Sequence, residues 1–118
     1  MKTIKLICVL MSFLALGMSN QSLAQTVTWK FDAADNSGLM ILITSVGGET
    51  VTKIELARKG DAAWTATTLV SSDENQEYFR IKSSADSKIY EIYVYWEEDK
   101  LVRIYPDGKE LIYWLRKE

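Results

Sequence analysis

Histidine is absent from this chain, and its only cysteine, Cys8, and only proline, Pro106, stand far apart in 118 residues. Cys8 falls in a stretch with the character of a secretory signal. Lys2 and Lys5 form a charged start, Leu6 to Met18 an apolar run, and Ser22-Leu23-Ala24 a cleavage site with small residues at the two deciding positions. On this reading residues 1–24 are removed, and 25–118 form a single β domain outside the cytoplasm. The run is shorter than the roughly 20 apolar residues that a membrane span requires, so no stable membrane insertion is expected after processing. Cys8, inside the run, is badly placed for lipidation.

Each absence removes a chemistry. Without histidine or cysteine, residues 25–118 lack the commonest general base, the usual transition-metal ligands and the thiol nucleophile, which excludes Ser-His-Asp, Cys-His and zinc mechanisms. No disulfide contributes, so packing and backbone hydrogen bonds must carry the fold. With no Asn-x-Ser/Thr sequence after Ala24 either, the pattern points to a bacterial periplasmic or extracellular protein. Losing Lys2 and Lys5 leaves twelve basic against sixteen acidic residues, a net charge of −4. Nucleic acid is held by basic patches, so it is not an expected partner.

Motifs for cofactors are missing as well: no glycine-rich phosphate loop and no dinucleotide fingerprint occur. Asp32, Asp35 and Asn36 share a loop without the spacing of a calcium-binding loop. The acidic clusters Asp73-Glu74 and Glu97-Glu98-Asp99 fall in turns, where charge is ordinarily solvated. A carboxylate pair for glycoside hydrolysis needs its groups roughly 5–10 Å apart in a cleft, and nothing in the pattern predicts a cleft. The protein is therefore read as non-catalytic, with no cofactor and no metal.

What the chain does have is alternation. Thr26 to Asp32 sets Val27, Trp29 and Phe31 against Thr28, Lys30 and Asp32, and the same period of two recurs through Leu39–Val46, Glu49–Arg58, Ala63–Ser71, Gln76–Ser83, Lys88–Glu97, Leu101–Tyr105 and Glu110–Arg116. Turn chemistry separates these segments, among them Gly47-Gly48 and Pro106-Asp107-Gly108. Tyr105-Pro106-Asp107-Gly108-Lys109 resembles the hairpin turn of membrane-occupation-and-recognition repeats, but it occurs once and is read as a generic turn. The fold class is all-β: an antiparallel meander of about eight strands forming a closed or flattened β-barrel, with a sandwich as the alternative. Closure would pair the first strand with the last.

Hairpin registers follow from placing apolar residues opposite one another. A two-residue turn at Gly47-Gly48 sets Ile41 against Ile54 and Leu39 against Leu56. A four-residue loop at Ser72 to Asn75 sets Phe79 against Thr68 and Ile81 against Ala66, and another at Ser84 to Ser87 sets Phe79 against Ile92. A three-residue loop at Glu98-Asp99-Lys100 sets Val94 against Ile104 and Trp96 against Val102, and Val102 then pairs with Ile112. The predicted interior thus includes Val102, Ile104, Ile112 and Trp114, while Leu101, Leu111 and Tyr113 point away from it. Met40, Leu42 and Val46 form a second outward apolar row, which the chain itself is expected to cover.

These registers place Leu69, Tyr78 and Tyr93 side by side in solvent, with Arg80 and Glu91 in the next row and Tyr95 beyond. Aromatic residues around one arginine are the composition of protein-binding hot spots. The function expected is an exported binding module that recognises a protein, or a glycan, through Leu69, Tyr78, Arg80, Tyr93 and Tyr95. A lipocalin-like carrier of a small apolar ligand and an inhibitor or immunity protein acting on an envelope enzyme are the alternatives.

Overall fold

Over residues 25–117, which the computed structural model describes, the period-two alternation produces eight antiparallel strands. They are β1 (Thr26–Ala33), β2 (Leu39–Val46), β3 (Thr50–Arg58), β4 (Thr67–Ser72), β5 (Tyr78–Ser83), β6 (Ile89–Tyr95), β7 (Lys100–Ile104) and β8 (Glu110–Leu115). All belong to one sheet, ordered β3-β2-β1-β8-β7-β6-β5-β4, which curls into a nearly closed barrel. The proposed signal segment lies outside the described residues.

The first and last strands do pair, through Phe31↔Leu115, Asp32↔Trp114 and Ala33↔Tyr113. The break in the barrel comes instead between β3 and β4. Among the described residues one bridge closes it, Leu56 of β3 with Thr65 just before β4, with hydrogen bonds of 3.0 and 2.6 Å. Farther along the seam, side chains replace the backbone ladder: the Thr67 hydroxyl donates to the Ile54 carbonyl, and Gln76 Oε1 accepts the Val51 N–H at 2.8 Å. Gln76 holds a left-handed backbone (φ 58°), and its carbonyl accepts the Trp96 indole N–H at 2.8 Å. Bare strand edges recruit other strands, and these side-chain bonds blunt this one.

Inside, Phe31, Ile41, Ile43, Ile54, Phe79, Ile81, Ile92, Leu101 and Tyr113 are fully buried, and the rings of Trp29 and Trp96 meet edge to face at 4.8 Å. Their side chains fill the interior.

Three hairpins depart from the sequence registers. At β2–β3, Val46 pairs with Thr50 across a three-residue turn, and a bulge between Thr44 and Ser45 then sets Ile43 against Ile54 and Ile41 against Leu56. Each irregularity moves the register by one residue, so together they return Ile41, Ile43, Ile54 and Leu56 to the expected inner face, while Val51, opposite Ser45, is buried in place of Thr52. At β4–β5, Leu69 pairs with Ile81, and a bulge at Val70 precedes Ser71↔Arg80. Ala66 and Thr68 are therefore not the partners of Ile81 and Phe79, and Leu69 turns inward against the core.

The third departure is the largest. After β6 the chain makes a 3-10 turn at Trp96–Glu98 and passes through Asp99 in the left-handed region (φ 57°), so that Val94 pairs with Leu101 and Tyr95 with Lys100. The loop has one residue more than expected and starts two residues earlier. This odd change of register reverses which face of β7 is buried. Val102 still pairs with Ile112 as expected, so β8 reverses with it. Leu101, Tyr113 and Leu111 pack inside, while Val102, Ile104, Ile112 and Trp114 lie on the outer surface.

Candidate functional site

The reversal creates the most distinctive outer surface of the barrel. Strand partners share a face, so Tyr78↔Tyr93, Tyr93↔Val102 and Val102↔Ile112 define one unbroken apolar row across β5, β6, β7 and β8. Tyr95, Lys100 and Trp114 form the row on one side, and Arg80, Glu91, Ile104 and Glu110 the row on the other. Tyr93, Tyr95, Ile112 and Trp114 are 36%, 42%, 40% and 48% exposed, which is high for large apolar side chains that are neighbours.

The chemistry of this face is that of contact. Tyr78 and Tyr93 hold ring centroids 4.8 Å apart at 51°, and Lys100 Nζ sits 4.9 Å from the centre of the Tyr95 ring. Partial burial, followed by the negative charge of Glu91, pushes the Tyr78 hydroxyl above its ordinary pKa, so it remains a neutral donor. Arg80 and Glu110 are exposed, and among the described residues neither forms an ion pair.

Of the residues singled out from sequence, Tyr78, Arg80, Tyr93 and Tyr95 share this surface. Leu69 does not: the β4–β5 register turns it to the inner side, opposite Ile81. The sequence reading missed Val102, Ile104, Ile112 and Trp114, having assigned them to the interior. The usable signal was Asp99, a residue type that tolerates the left-handed backbone and so permits the longer loop.

A second group of functional side chains lies inside the same wall. Arg103 is 7% exposed, its guanidinium carbon 4.4 Å from the centre of the Tyr90 ring and 4.6 Å from that of Tyr105. Its Nη1 donates to the Tyr113 hydroxyl at 3.1 Å, while its Nε–H has no hydrogen-bond partner among the described residues. Burial raises the pKa of Tyr113, against the pull of Arg103, so the phenol stays neutral. Tyr90 donates to Asp86 at 2.6 Å, a bond that lowers the Asp86 pKa. Cation–π contact with two rings, themselves edge to face at 5.3 Å, offsets part of the cost of burying the charge. This cluster braces the end of the barrel near the β5–β6 and β7–β8 turns.

The remaining candidates have local duties. Asp32 accepts both Nε and Nη2 of Arg116 at 2.9 and 2.7 Å, and Asp35 Oδ1 accepts the Ser37 N–H at 2.9 Å. Asp73 Oδ1 accepts the N–H groups of Glu77 and Tyr78, and Lys117 pairs with Asp99 at 2.8 Å. Among the described residues no group of acidic side chains is arranged to hold a metal, and no helix is long and apolar enough to cross a membrane. No protein family, curated protein or solved structure matches this chain.

Proposed function

We propose that the protein is an exported, non-catalytic binding module that recognises another protein through the outer face of β5–β8. The carrying observation is the continuous row Tyr78, Tyr93, Val102 and Ile112, flanked by Tyr95 and Trp114 and edged by Arg80 and Glu110, which form no ion pair among the described residues. Rigid aromatic side chains on a sheet contribute large contact area at little entropic cost, and a charged rim adds orientation. The filled interior favours a contact surface over a carrier, because Phe31, Phe79, Trp96 and Tyr113 occupy the space that an apolar ligand would need.

The test compares the protein with its Val102→Asp variant in binding to proteins of its own envelope. A charge at the centre of the row should abolish retention of whatever the wild type captures while leaving the far-ultraviolet circular dichroism unchanged. Equal retention by both would overturn the reading.

A further inference from the structure

We infer that this face pairs with the same face of a second copy of the chain, about a twofold axis running parallel to the strands between β6 and β7. The inference rests on the reading of the face as a contact surface and adds its partner. A twofold axis in that position carries β5 of one copy onto β8 of the other, and β6 onto β7. The order and register of the strands then fix every opposition.

The oppositions are complementary in size and in charge except at Glu91, which meets Ile104. In the central row Tyr93 of one copy meets Val102 of the other, and Tyr78 meets Ile112, so each ring lies against a smaller aliphatic side chain. In one flanking row Tyr95 meets Lys100, extending the cation–π contact already made within the chain. In the other, Arg80 meets Glu110, and symmetry makes this pair twice. Both residues are exposed and, among the described residues, without an ion pair, as this assignment requires.

Two convex walls touch at their centre, where Tyr93 and Val102 lie, and diverge towards β5 and β8, where the Tyr78 ring and the long side chains of Arg80 and Glu110 must span the wider gap. A twofold axis running across the strands instead would set Glu91 against Tyr95 and Glu110 against Trp114, and would take Arg80 away from Glu110.

Sedimentation equilibrium on the protein, purified as the cell processes it, should show a reversible monomer–dimer equilibrium. Arg80→Glu and Glu110→Arg should each weaken it by about tenfold or more, since each puts like charges together at two symmetric positions. Mixed together, the two variants should form a heterodimer of near wild-type strength, because every Arg then meets a Glu. A wild type that dimerises while neither variant weakens it, or while the mixture forms no heterodimer, would overturn the twofold arrangement. A wild type that stays monomeric at every concentration would overturn self-association altogether. In that case Val102→Asp decides the underlying reading separately: lost capture of another protein keeps the contact face with a different partner, and unchanged capture removes both.

Discussion

Outside β1 and β2, Met40 and Leu42 point away from the core among charges that have found partners: Arg116 grips Asp32 with two hydrogen bonds and lays its Nη2 3.3 Å from Met40 Sδ. Beside them on β3, Lys53 approaches Glu55 to 3.8 Å. Outside β5–β8, a comparable strip of apolar side chains lies beside Arg80 and Glu110, which have no such partners among the described residues. On the first wall Asp32 and Lys53 have ion partners, although Val46 stays 43% exposed; on the second Lys100 pairs with Glu98 at 3.7 Å, and Arg80 and Glu110 form no ion pair among the described residues. Apolar residues on the outer face therefore do not by themselves mark an interface; the state of the charges around them separates the two walls.

The largest effect that could break this comparison concerns which side of β7 is buried. Leu101→Ala should cost about 2–5 kcal/mol by opening a cavity, whereas Val102→Ala should cost less than about 1 kcal/mol. Denaturant titration of the two variants gives the order directly, and the opposite order would return Val102 to the core and dissolve the apolar row.

Next comes the seam between the walls. Gln76→Ala leaves the Val51 N–H without its acceptor, at an expected loss of about 1–3 kcal/mol in thermal unfolding. A loss near zero would mean that the seam holds without its side-chain bridge.

A smaller effect tests the satisfied wall. Arg116 holds the Asp32 carboxyl below its ordinary value, first by hydrogen bonding. Its contribution is therefore present above the unfolded carboxylate pKa of about 3.9 and is lost as pH falls through the lower folded value. Both side chains are partly exposed, so the contribution should be below about 1 kcal/mol. Asp32→Asn should shallow the decline in stability between about pH 4 and pH 2; an unchanged acid limb would show that the pair contributes nothing. Smallest of all, Trp114→Ala should move stability by about 0.5 kcal/mol or less while weakening binding at the outer face. A much larger loss of stability would make Trp114 a packing residue.

Sequence alone was sufficient for the all-β class, for most of the strand positions, for the pairing of β1 with β8 and for the β5–β6 register, where Tyr78, Arg80, Glu91 and Tyr93 lie as the alternation requires. In that hairpin polar and apolar residues alternate cleanly, so a slip by one residue would bury a charge and the pattern has one solution. The inward side of β7 and β8 was not legible. Leu101, Leu111 and Tyr113 compete with Val102, Ile112 and Trp114, and both faces are apolar enough to be buried. The buried face even carries Arg103, which a hydrophobicity pattern assigns to solvent. Three-dimensional structure decided the matter, through the left-handed Asp99 in the turn after β6 and the tyrosine rings that accept a guanidinium inside the barrel. Alternation determines that two faces exist; only the geometry of a turn and the packing across the barrel can determine which of two apolar faces meets water.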